Sequence, residues 1–166
     1  MMNAEVKTTA KEKKQLGILF LIGGAEDKAQ DKVILKRFFL ACGGKSRARI
    51  SILPTASQNN FFSEVYRNIF KELGAQSVEV ARIYNREDAN SDHAVEVIRN
   101  STGIFIAGGD QNLILSALNE SKALEAIKEA FYDGVTIGGT SAGASALSHP
   151  MIAGGRRGSL PRGGMV

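Results

Sequence analysis

The sequence predicts an α/β fold, a mostly parallel sheet with helices on both faces. Three observations carry that expectation. Short apolar runs alternate along the chain with segments whose apolar residues recur at three- and four-residue spacing. Most of those runs end in a loop rich in glycine or small polar residues, where an open parallel sheet places its ligands. At 166 residues, with 43% hydrophobic and 23% charged side chains, the chain has the size and balance of one globular domain.

The elements follow in order. Residues 1–14 read as a flexible basic arm, and residues 15–166 as a single α/β domain. Gly17 to Ile22 is the first predicted strand and ends in Gly23-Gly24-Ala25-Glu26-Asp27. Lys11 to Lys14 before that run imitate a secretory leader, but no small-x-small cleavage site closes it. Asp31 to Ala41 makes a helix with Val33, Ile34, Leu35, Phe38 and Phe39 on its apolar face. Arg49 to Leu53 is the second strand, closed by Pro54-Thr55-Ala56-Ser57. Phe62, Val65, Tyr66, Ile69, Phe70 and Leu73 line one face of the next helix. Val78 to Ile83 is a strand, Ala94 to Ile98 a short helix, and Gly103 to Ala107 a strand ending in Gly108-Gly109-Asp110-Gln111. Gln111 to Phe131 divides into two helices near Asn119, and Asp133-Gly134 ends the second with a left-handed cap. Val135 to Ile137 is the last predicted strand, and the turn Gly139-Thr140-Ser141-Ala142-Gly143 follows it.

Charge excludes some functions. The net charge is +4, but residues 1–14 carry +2 and the stretch after Ser141 carries +3, which leaves the body at −1. With no basic face on the folded part, a nucleic-acid partner is not expected. No apolar run approaches the roughly 20 residues that span a bilayer, so no membrane partner is expected either. The single cysteine, Cys42, excludes an intrachain disulfide, makes a cytoplasmic location the default, and reads as a buried structural thiol. No paired cysteines or histidines stand at ligand spacing, so neither metal nor cofactor is expected. The Gly23-Gly24 loop lacks the G-x-G-x-x-G spacing and the P-loop lysine of nucleotide binders.

The chemistry concentrates at Ser141. A serine on a sharp turn between a buried strand and a helix is lifted clear of the sheet with its hydroxyl exposed. The amide of Ala142 then lies at a helix N-terminus, where it can face a developing oxyanion. A small-residue turn can also serve only to pack a helix closely on a strand. Asp110 can cap the helix opening at Gln111, and Glu26 and Asp27 can cap the first helix or rim the site. An acidic rim would suit a substrate bearing arginine.

Three motifs, Gly23-Gly24-Ala25-Glu26-Asp27, Ala107-Gly108-Gly109-Asp110-Gln111 and Gly139-Thr140-Ser141-Ala142-Gly143-Ala144, each follow a predicted strand. Together they resemble the cyanophycinase group of serine peptidases, family S51, related to the aspartyl dipeptidase peptidase E. The resemblance implies a flavodoxin-like or class I glutamine-amidotransferase-like doubly wound sheet, usually dimeric. It implies hydrolysis of the aspartate–arginine polymer cyanophycin to β-aspartyl-arginine dipeptides. Ser141 would be the nucleophile, and the amides near Gly109 and Asp110, with that of Ala142, the oxyanion donors. Gly108 belongs to the same loop, and Gln111 would contact the substrate backbone. A dipeptidase acting on aspartyl dipeptides is the alternative within hydrolases, and a non-catalytic fragment the alternative outside them.

A serine nucleophile needs a base. His149 lies eight residues after Ser141, about 12 Å along the axis if the helix continues that far. As the residue before Pro150 at a helix end, it suits contact with the last carbonyls. His93 follows the capping sequence Asn90-Ser91-Asp92 and suits a solvated position. The resemblance implies a base that follows the nucleophile, in a segment expected to be missing here. The C-terminal part of the family domain is therefore expected to be missing, leaving a sheet edge uncovered. Poor stability or aggregation is then expected, unless a homodimer covers that surface.

Overall fold

The computed structural model describes residues 15–57, 61–149, 151–152 and 163–164. The expected arm, residues 1–14, lies outside the described residues. Five strands, β1 (Leu19–Ile22), β2 (Arg49–Leu53), β3 (Ser77–Val80), β4 (Gly103–Ile106) and β5 (Thr136–Thr140), form one parallel sheet in the order β1-β5-β4-β2-β3. Strands β3-β2-β4-β5 follow the order of a flavodoxin-like sheet, and β1 adds itself outside β5. Met151–Ile152 and Gly163–Gly164 form a separate two-stranded antiparallel ladder, β6 and β7.

Strand alternation sends side chains to two cores. Ile50, Ile52 and Phe105 face α1 (Val33–Ala41) and α2 (Phe61–Glu72). Phe38 is the centre of that layer, with its ring 5.3 Å from Phe105 and 5.5 Å from Phe70. Gly138 of β5 leaves room for it, because a Cβ there would come 2.8 Å from the Phe38 ring. Leu53, Ile104, Ile106 and Ile137 face the other layer. It comprises α3 (Arg86–Ala89), α4 (Asp92–Arg99), α5 (Gln111–Leu118), α6 (Lys122–Tyr132) and α7 (Ala142–Ala146). Cys42 is buried, and burial pushes its thiol well above the usual range, as expected of a structural cysteine.

Several boundaries differ from expectation for local reasons. Helix α1 starts at Val33 because Lys32 takes a left-handed conformation (φ 49°). Helix α3 was not expected; Asn85 caps it by accepting from the Asp88 N–H. Ser91 caps α4, Ser121 caps α6, and Gly134 (φ 91°) follows the end of α6. Strand β5 runs three residues beyond Ile137, through two glycines that disguised it.

Strand β1 is an outer strand. Leu16, Ile18, Leu19 and Leu21 are exposed on or beside it, Leu21 to 59%. Among the described residues no helix is long and apolar enough to cross a membrane.

Candidate active site

The loops after β1, β2, β4 and β5 meet at the carboxyl ends of the strands, as the topology requires. They enclose a cleft lined by Gly24, Ala25, Glu26, Lys28, Ser57, Phe62, Tyr66, Gly108, Gly109, Thr140 and Ser141. Ser141 stands at the turn between β5 and α7 with φ 51° and ψ −115°. A non-glycine residue holds such a backbone only when its surroundings enforce it. The Ser141 N–H donates to the Ile22 carbonyl at 2.9 Å, which ties the turn to the end of β1.

Glycines let the chain close on this serine. A Cβ at Gly24 or at Gly108 would stand 3.3 Å from the Ser141 Cβ. A Cβ at Gly143 would lie 2.3 Å from the Ile106 carbonyl oxygen, so α7 rests directly on β4. Gly109 (φ 149°) sits against Ala56, where a Cβ would lie 2.1 Å from the carbonyl oxygen. The loops after β2 and β4 therefore interlock through backbone.

The second structural device is a carboxylate. Glu26 accepts from the Tyr66 hydroxyl and from Thr140 Oγ1 at 2.7 Å, and pairs with Lys28 Nζ at 3.0 Å. One side chain thus joins the β1 loop, α2 and the residue preceding Ser141. Burial raises the Glu26 pKa, but hydrogen bonds from Tyr66, Thr140 and Lys28 outweigh it and hold the carboxyl below its ordinary value. Burial first, and then the hydrogen bond to Glu26, push the Tyr66 phenol well above the usual range.

Not every residue expected at the site reaches it. Asp27, expected to cap the first helix or rim the site, is not among the described residues lining the cleft; its carboxylate accepts from the N–H groups of Ala29, Gln30 and Lys32. Those bonds, that from Gln30 first, hold its pKa far below the usual range. The Asp110 carboxylate caps α5 by accepting from the Asn112 N–H at 2.8 Å. Its own N–H donates to the Ala56 carbonyl at 2.8 Å, which removes it as an oxyanion donor. The N–H groups of Gly108, Gly109 and Ala142 have no backbone acceptor among the described residues. Gln111 opens α5 and lies outside the cleft lining.

Neither histidine is at the cleft. His93 is exposed in the first turn of α4, beside the outer strand β3. Helix α7 ends at Ala146, so His149 lies beyond it and is exposed. Among the described residues none donates to or accepts from Ser141 Oγ, and no cluster of histidine, cysteine or carboxylate groups could hold a metal.

The model of peptidase family S51 matches residues 19–161, which takes in all four loops of the cleft. The chain belongs to peptidase family S51. It is 38% identical over 150 residues to a cyanophycinase of Nostoc sp. (strain PCC 7120 / SAG 25.82 / UTEX 2576), covering 89% of this chain and 50% of that protein. A cyanophycinase of Geminocystis herdmanii (strain PCC 6308) is 39% identical, with 89% of this chain and 55% of that protein covered. The chain spans about half the length of these curated relatives. A crystal structure of a peptidase from an acI-B1 Actinobacterium superposes with a TM-score of 0.69 at 28% identity, over 82% of this chain and 58% of that one. A Listeria monocytogenes EGD-e protein of the peptidase E type gives 0.57 at 20% identity, over 78% of this chain and 60% of that one, a likeness of fold.

Sequence reasoning missed Tyr66, Lys28, Phe62 and the use of Thr140. Tyr66 lies on the buried face of its helix, as its spacing predicts, and its hydroxyl is what reaches the site. Its phenol carried the signal, since a buried tyrosine hydroxyl seeks a partner.

Proposed function

We propose that the family domain represented here is a serine-type hydrolase that cleaves a peptide chain built from aspartate and arginine, with Ser141 as nucleophile. The observation that supports this most directly is the backbone of Ser141, strained at a strand–turn–helix elbow and opening into the cleft. Ser141 Oγ attacks the scissile carbonyl carbon, forming a C–O bond, and the carbonyl oxygen becomes an oxyanion. The N–H groups of Gly109 and Ala142 receive that charge; a lost donor of this kind costs about 3 kcal/mol in the transition state. Collapse of that intermediate breaks the scissile C–N bond and releases the amine, which takes up a proton; water then adds to the acyl ester, and the C–O bond to Ser141 breaks to free the acid and restore the hydroxyl. Glu26 acts at one remove, fixing Thr140 and so the direction of the elbow. The polymer is the reading taken from the cyanophycinase relatives.

The attack also needs an acceptor for the Ser141 proton, and the described residues place none there. That observation favours a second reading, in which this chain binds peptide without cleaving it. A fluorophosphonate probe separates the two. Labelling that vanishes in Ser141→Ala, with release of β-aspartyl-arginine from cyanophycin, is the expected result for an active enzyme. Folded protein that takes no label removes the nucleophile assignment and leaves the binding reading.

A further inference from the structure

The cleft holds two charged side chains, Glu26 and Lys28, and they are presented differently. The Glu26 side chain is 3% exposed and three donors meet its carboxylate: Tyr66, Thr140 and Lys28. Its acceptor capacity is directed inward. The Lys28 side chain is 27% exposed. Its ammonium rests on Glu26 Oε1 at 3.0 Å and on the Glu26 carbonyl oxygen at 3.3 Å, 5.4 Å from the Tyr66 ring centre. An ammonium has three N–H donors, so one is left for a ligand.

The surrounding wall offers more donors. Gly108, Gly109 and Ser141 line the same cleft, and neither the two glycine N–H groups nor the Ser141 hydroxyl has an acceptor among the described residues. With Asp27 committed to its turn and Glu26 covered, the described carboxylates at and beside the cleft are already engaged. Such a wall suits an anion and gives a guanidinium little to bind. The three contacts on Lys28 also fix its position before a ligand arrives, which lowers the entropic cost of binding.

We propose that Lys28 is the specificity-determining contact of this cleft and takes a carboxylate of the peptide beside the scissile bond. The inference rests on the peptidase reading for the kind of ligand, because Lys28 and Ser141 line one cleft.

Two isosteric probes test it, N-acetyl-L-aspartate N-methylamide with either arginine or argininamide joined to its β-carboxyl, which differ only by carboxylate against carboxamide. Each is titrated into the isotope-labelled full chain, following the amide signals of Gly108, Gly109 and Ser141. The arginine probe, with its free α-carboxylate, is expected to bind about tenfold more tightly, the gain of one charge-assisted hydrogen bond. Lys28→Gln should bring the two affinities together, and Lys28→Arg should keep most of the preference. Equal affinities in the natural chain, a preference that survives Lys28→Gln, or binding of neither probe would each overturn the inference. Labelling of Ser141 is scored separately. A labelled serine without carboxylate preference removes Lys28 and leaves the peptidase; a preference without labelling does the reverse.

Discussion

Two concave surfaces flank β5 and are built by opposite means. The cleft at the carboxyl ends of the strands is made by backbone: Gly109 lies on Ala56, Gly143 on Ile106, and Gly24 and Gly108 on either side of Ser141. The groove between α5, α6 and the sheet is made by side chains, among them Leu19, Ile114, Leu118, Ile127, Phe131 and Ile137. Backbone contacts at these distances cannot relax, so the first surface has one shape. Apolar side chains can repack around a change, so the second tolerates several. Chemistry needs the first kind, because a nucleophile and its oxyanion donors must be placed to fractions of an ångström.

The sharpest way to break this contrast is to add one methyl group at the cleft and to remove several carbons at the groove. Gly143→Ala puts a Cβ at 2.3 Å from the Ile106 carbonyl oxygen, where α7 and β4 would have to separate. A loss of about 4 kcal/mol, or failure to fold, is expected in denaturant melts. Ile127→Ala empties part of the core near the apolar groove and should cost about 2 to 4 kcal/mol. If the glycine variant melts higher than the isoleucine variant, close backbone packing does not define the cleft.

Glu26→Gln should have a smaller effect, about 1 to 3 kcal/mol at neutral pH, by leaving Tyr66, Thr140 and Lys28 with a weaker acceptor. The sign of its pH dependence follows from the lowered pKa of Glu26. A carboxyl depressed in the folded state stabilises fully above its unfolded value, about 4.3, and loses that contribution as pH falls through the folded value. The natural chain and Glu26→Gln should therefore converge in acid. Melts that stay equally far apart from neutral pH into acid would show that the Glu26 charge does not stabilise the elbow.

The same division explains what could be read from sequence. Apolar spacing showed α2 because Tyr66, Ile69 and Phe70 repeat on one face. The four loops were legible because glycine and small polar residues interrupt the strands. Strand β5 was cut short because Gly138 and Gly139 have no side chain to signal burial, although both are buried. The bonds of Glu26 to Tyr66 and Thr140 span 40 and 114 residues, and no local pattern encodes pairs so distant. Asp27 and Asp110 drew attention as carboxylates near the site, and both are committed to backbone N–H groups a few residues on.

The smallest effect on stability is expected where side chains meet solvent on β1. Leu21 is 59% exposed on an outer strand, so Leu21→Lys removes little packing and should change monomer stability by no more than about 0.5 kcal/mol. Its effect on association should be much larger. A strand edge carrying Leu16, Ile18, Leu19 and Leu21 offers both unpaired backbone groups and apolar area, and a lysine there is a common natural guard against pairing. Sedimentation velocity over a range of concentrations should show the natural chain associating and Leu21→Lys remaining monomeric. A cost above about 1.5 kcal/mol with unchanged association would mean that this face packs as core, which would make β1 as fixed as the cleft it feeds.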